Sequence, residues 1–197
     1  MPLIPFADPA AMPEDTSASF ERLPRKLNIF RMWSNAATCF PAGIRFGNAI
    51  LTKQKLNPAL RELIILAVAR IEAGIYEWVQ HIPIGKQAGC RDDQIAALAA
   101  GDFINPAFDA REQAMLKLVF EVVRDVRASE AAVNAAKAHF DAQEIVEIIL
   151  TAGFYMTMAR MTETTRVEID APPGVTIPDF RKIRYGGARE RQAALTA

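Results

Sequence analysis

The chain has few of the residues that most often carry thiol, metal or redox chemistry. Its 197 residues include two Cys, Cys39 and Cys90, and two His, His81 and His139. The cysteines form no C-x-x-C pair and no zinc-like spacing, so they read as reduced core thiols. There is no H-E-x-x-H, and one histidine beside carboxylates is too few nitrogen ligands for a metal centre, so no metal is expected. Charge of one sign is missing as well: 23 basic and 23 acidic residues leave no net field to draw a polyanion, which argues against a nucleic-acid partner. Gly85, Gly89 and Gly101 make no phosphate-binding fingerprint, and a reaction without a cofactor is expected. No apolar run approaches the roughly 20 residues of a membrane span. Met1 to Phe20 carries Pro2, Pro5, Pro9 and Pro13 but neither the basic start nor the apolar run of a secretory signal, so the expected compartment is the cytoplasm.

What the chain does have is apolar helical periodicity. At 51% hydrophobic it can build one sizeable core. Residues 1–20 read as a Pro-rich arm that lies over the surface or reaches a neighbouring subunit, 21–165 as one all-α domain with its core at 45–125, and 166–197 as a surface tail. Leu27, Ile29, Phe30, Trp33 and Ala37 keep a helical period that Pro41 breaks before a second helix from Ile44 to Leu51. Asn57-Pro58 opens a helix through Ala73 that is apolar nearly all round, the mark of a central position, with Gly74 ending it. The next runs from about Tyr76 to Ala88 and stops at Gly89. Pro83 within it predicts a kink or a first turn near that point. Asp92 or Asp93 opens a short helix before Gly101. Asp109 with Glu112, and Asp141 with Glu144, have capping-box spacing, and Ser129 to Phe140 reads as a helix between the two they open. The stripe of the first is Met115, Leu118, Val119, Val122 and Val126; that of the second includes Ile145, Ile148, Ile149, Ala152, Tyr155 and Met156.

Three residues stand out chemically. Glu62 is a carboxylate on the otherwise apolar helix, and burial there either supplies it with a partner or raises its pKa. Glu77 and His81 are four apart and share a helical face, so Glu77 can orient the ring while His81, with an ordinary pKa of about 6.5, gives or takes a proton. The plainer alternatives are an ion pair of Glu62 with Arg61 and a surface pair of Glu77 with His81. His139 has no paired carboxylate nearby and reads as structural. Trp78 reads as packing or as an aromatic wall for a substrate.

Asn57-Pro58-Ala59-Leu60-Arg61-Glu62-Leu63-Ile64-Ile65-Leu66, Tyr76-Glu77-Trp78-Val79-Gln80-His81, Gln87-Ala88-Gly89-Cys90 and Ile95-Ala96-Ala97-Leu98 together resemble the carboxymuconolactone decarboxylase family. The resemblance implies an alkylhydroperoxidase D-like helical bundle assembled as a trimer or hexamer. It also implies a cofactor-free lyase acting on a small lactone or unsaturated carboxylic acid from aromatic-compound breakdown. On that footing Glu62, Glu77 and His81 are the catalytic candidates, with Arg61, Arg70, Trp78 and Lys86 as candidates for holding substrate. The family's thiol peroxidases use a Glu, a C-x-x-C pair and a His, and by spacing those places fall at Glu62, Gly74, Glu77 and His81. Both cysteines are absent from those places, so that chemistry cannot run there; a peroxiredoxin-like antioxidant role through Cys90 or Cys39 is the alternative reading, beside a non-catalytic helical oligomer that binds a partner or ligand.

Overall fold

Proline, glycine and acidic caps divide the chain into helices much as the sequence predicts. The computed structural model describes residues 1–170, and among these there is no strand. A 3₁₀ turn at Pro9–Ala11 precedes α1 (Glu14–Glu21), α2 (Asn28–Trp33), α3 (Phe40–Lys53), α4 (Pro58–Glu72), α5 (Ile75–Ala88), α6 (Asp92–Ala100), α7 (Ala110–Asp125), α8 (Glu130–Lys137) and α9 (Ala142–Thr165).

Helix α4 is the axis of the bundle. The Asn57 side chain accepts from the Ala59 N–H at 2.8 Å, and Pro58 sits at the first helical position, where no backbone bond is lost. Every residue from Leu60 to Ile71 is buried, with α5, α6, α7 and α9 packed around it. Each large aliphatic side chain hidden in this way contributes roughly 1.5–3 kcal/mol, which outweighs the modest preference of any one residue for helix. The capping boxes form reciprocally: Glu112 and Asp109 exchange bonds of 2.8 and 3.0 Å, as do Glu144 and Asp141 at 2.9 and 3.0 Å. They fix where α7 and α9 start.

Several boundaries differ from the sequence expectation. Pro41 does not break a helix; it lies in the first turn of α3, where its missing N–H is harmless. Gly74 does not end α4, because Ala73 takes the left-handed conformation itself at φ 58° and Gly74 instead opens α5. Pro83 neither starts α5 nor divides it, since the helix continues to Gly89 at φ 110°, where only glycine turns without strain. Val126 lies past the end of α7 and is 89% exposed, so it leaves the core stripe.

The N-terminal arm packs on its own chain. Thr16 and Phe20 of α1 are buried, the Leu3 N–H donates to the Thr165 carbonyl at 2.8 Å, and the Ala7 N–H donates to that of Arg31 at 3.1 Å. The arm and the segment after it thus roof one end of α3, α5 and α9. From residue 171 on, the expected tail lies outside the described residues. Helix α9, at 24 residues, has the length and mean hydropathy of a membrane span, and it packs against α4, α5 and α7.

Candidate active site

Burial of Glu62 creates the first requirement of the site, because a carboxylate with no solvent exposure needs partners of its own. Two are present. Arg61 Nε–H donates to Oε1 at 3.2 Å, and the Nδ1 of His81 lies 2.8 Å from Oε2. With the carboxylate accepting from Nδ1–H, the other ring nitrogen, Nε2, is the one left for chemistry. The ring is further fixed by the edge-to-face stack of Tyr155 at 4.9 Å between centroids.

His81 lines a cavity of about 940 Å³ bounded by the α1–α2 segment and by α2, α3, α5 and α9. The walls are mainly apolar, with Leu27, Ile29, Trp33, Leu51, Phe154 and Met158 among them. Trp33 and Phe154 meet at 6.0 Å, and Phe154 meets Tyr155 at 5.4 Å, forming a continuous aromatic wall that ends at His81. Such a lining strengthens the few polar groups it surrounds, since little water is present to screen them.

Glu77 also faces this cavity but does not engage His81. It stands in the first turn of α5, and the Thr162 hydroxyl from α9 lies 3.1 Å from each carboxyl oxygen. Burial pushes its carboxyl up from 4.5 to about 7, the largest influence, while its own backbone N–H and Thr162 pull the other way. The Thr162 oxygen is also 3.2 Å from the Met158 and Ala159 carbonyls. An ionised Glu77 therefore takes the hydroxyl hydrogen, and a protonated one donates to the oxygen while that hydrogen turns to a helix carbonyl. Both protonation states are satisfied. Gly74 makes room for this arrangement: a Cβ there would stand 2.7 Å from Glu77 Oε2 and 2.8 Å from the Ala159 Cβ.

A family model matches residues 41–121, from the start of α3 into α7, and this span contains Glu62, Glu77 and His81. The model matched is that of the carboxymuconolactone decarboxylase family. No curated protein matches the chain. Among solved structures, the chain is similar to an uncharacterised peroxidase-related protein of Ralstonia eutropha JMP134 described as an alkylhydroperoxidase AhpD core (20% identity, 86% of this chain and 93% of that one, TM-score 0.74). It is similar also to an uncharacterised peroxidase-related protein of Silicibacter sp. TM1040 (22% identity, 85% and 90%, TM-score 0.70). A third is a protein of unknown function from Agrobacterium tumefaciens assigned to AhpD antioxidant defence (22% identity, 71% and 96%, TM-score 0.64). At these identities the shared property is the AhpD-like all-helical fold.

Within the matched segment the substrate-holding residues expected from sequence fall elsewhere. Arg61 is committed to Glu62, the Nε–H of Arg70 donates to the Ala99 carbonyl at 2.9 Å, and Lys86 pairs with Asp92 at 2.6 Å on the outside. Trp78 is buried in the main core. None of the four lines the cavity. Sequence periodicity placed them on suitable helices, but only the crossing of α4 with α5 decides which face is open. Tyr155 and Thr162 were hidden in the apolar pattern of α9, and Arg22 and Arg25 lie in the family-unmatched segment before α2. The cysteines also divide. Cys90 is buried as expected, with burial the chief cause pushing its thiol up to about 12, whereas Cys39 is exposed rather than in the core.

Proposed function

We propose that the chain is a cofactor-free lyase or isomerase of the carboxymuconolactone decarboxylase type, acting by proton transfer on a small lactone or unsaturated carboxylic acid. The observation that carries this reading is His81 at the wall of an apolar cavity with its Nδ1 held by a fully buried carboxylate. His81 is the proton carrier, Glu62 positions its ring and matches the charge of the imidazolium, and Glu77 is a second acid on the same cavity. In a decarboxylation, the bond to the departing carboxylate breaks and its electron pair moves into the conjugated carbonyl, giving an enolate and carbon dioxide. The His81 imidazolium then delivers a proton to the carbon of the enolate: the enolate's C=C pair forms the new C–H bond, the oxygen pair re-forms the carbonyl, and His81 is left as neutral imidazole. The dry, aromatic walls favour loss of a charged carboxylate as a neutral gas.

A thiol route has less to draw on. By the spacing the resemblance implies, the places of the family's paired cysteines fall at Gly74 and Glu77, and the Cys90 thiol is buried, with its Sγ–H directed to the Ala59 carbonyl at 3.4 Å. The deciding experiment is a screen of lactones and unsaturated acids for carbon dioxide release or an ultraviolet change, followed by His81→Gln. Turnover lost with helical circular dichroism unchanged is the expected result; full activity in the variant ends the proposal.

Self-association is part of the same reading. Val146, Ile149 and Leu150 of α9 and Phe46 of α3 are exposed, and the chain has no net charge to keep copies apart. Light scattering after size exclusion should give a mass above one chain, and Val146→Asp with Leu150→Asp should reduce it.

A further inference from the structure

We infer that the segment joining α1 to α2 carries an oxyanion subsite, in which Arg22 and Arg25 receive the carboxylate of an amphipathic substrate whose apolar body occupies the cavity toward His81. The inference deepens the proton-transfer reading and rests on it for the identity of the cavity as the substrate's place.

Arg22 and Arg25 both line the cavity and both are exposed, which puts them at its open side rather than in its depth. Neither has a carboxylate partner among the described residues, in contrast to their neighbour Lys26, which pairs with Glu21 at 3.3 Å. Among the described residues Glu77 is the one acidic residue on the cavity lining, and its raised pKa leaves it largely protonated below neutrality, so the rim keeps its positive sign.

The segment is also pinned in place. Lys26 Nζ donates to the Phe20 and Glu21 carbonyls at 2.7 and 2.8 Å, and Pro24 restricts the backbone between the two arginines. Less order has to be imposed when a ligand arrives, so more of the guanidinium interaction is realised as affinity. Arginine suits the task because its planar fork matches the two oxygens of a carboxylate.

The remaining lining sets the rest of the ligand. Leu23, Leu27, Ile29, Trp33, Phe154 and Met158 offer no charge, and about 940 Å³ lies at the upper end of the range that encloses a drug-sized molecule. A compact dianion leaves most of that surface unfilled, and a neutral hydrocarbon leaves the arginines unused. An aryl or alicyclic body whose reacting group lies toward His81 and which carries a separate carboxylate on a short arm satisfies both.

The test is isothermal titration of the full chain with phenylpropanoate and with its neutral amide. The carboxylate should bind about tenfold tighter, an exposed charge pair being worth on the order of 1 kcal/mol. In Arg22→Gln with Arg25→Gln that preference should vanish while affinity for the amide is unchanged; circular dichroism checks the fold. Equal affinity for both heads in the native chain overturns the inference. So does equal weakening of both in the variant, or no carboxylate binding up to about 10 mM. His81→Gln separates the two readings. If it turns substrate over normally, the catalytic proposal falls and a carboxylate preference still stands; if turnover depends on His81 but no head-group preference is seen, only the subsite falls.

Discussion

Glu62 Oε2 lies 2.8 Å from Nδ1 of His81, joining a carboxylate sealed inside α4 to a ring that opens on a cavity beside α5. This contact spans two helices, and the interior of the bundle fixes its length.

Replacing that carboxylate by an amide keeps an acceptor for Nδ1–H but removes the charge that matches an imidazolium. Glu62→Gln should lower kcat by about 10²–10³-fold with little change in KM, as expected when only a proton-transfer step is impaired. Glu62→Ala goes further by leaving Arg61 and His81 without their buried partner. Urea unfolding should show a loss of about 3 kcal/mol.

Glu77 makes stability depend on pH in a stated direction. Its folded pKa of about 7 lies above the ordinary 4.5, so between these values the folded chain holds more protons than the unfolded one. Its stabilising contribution is complete below about 4.5 and is lost as pH rises through about 7. The difference corresponds to roughly 3 kcal/mol. Unfolding of Glu77→Gln followed across this interval should give a flatter profile than the native chain; parallel profiles would contradict the assignment.

Gly74 is a position where size decides. A Cβ would press on Glu77 Oε2 at 2.7 Å and on Ala159 Cβ at 2.8 Å, so Gly74→Ala should destabilise by about 1–3 kcal/mol. Pairing it with Ala159→Gly should recover part of the loss. A double-mutant cycle with no coupling between the two sites would show that the crowding lies elsewhere.

The two thiols should differ in reactivity by their surroundings alone. Cys39 is exposed and Cys90 is buried, with its pKa pushed up to about 12. Titration of the native chain with a disulfide reagent at mildly alkaline pH should show one fast equivalent, removed by Cys39→Ser, and a second only on unfolding.

Much of this was legible in the residues themselves. Asn57 before Pro58, Gly89 after Ala88, and the acidic pairs at 109 and 112 and at 141 and 144 act within a few residues of one another, so local chemistry places α4, α5, α7 and α9. The same locality names Glu62, Glu77 and His81 as unusual, since a charge amid aliphatic residues is visible without knowing its neighbours. Val126 and Gly74 were misplaced for a related reason: whether a helix stops depends on its last carbonyls and on what is packed alongside, and periodicity reports neither.

The sequence determined an all-helical chain with a carboxylate on its most apolar helix and a carboxylate and a histidine one turn apart on the next. Tertiary structure alone decided how they pair. Being four residues apart gave Glu77 and His81 a common face, yet Thr162, 85 positions further along, claims Glu77, while the crossing of α4 and α5 brings Glu62 to His81 across 19 residues. A carboxylate shut away from water goes to the nearest group that can satisfy it, and in a packed bundle that group is set by which helices lie side by side.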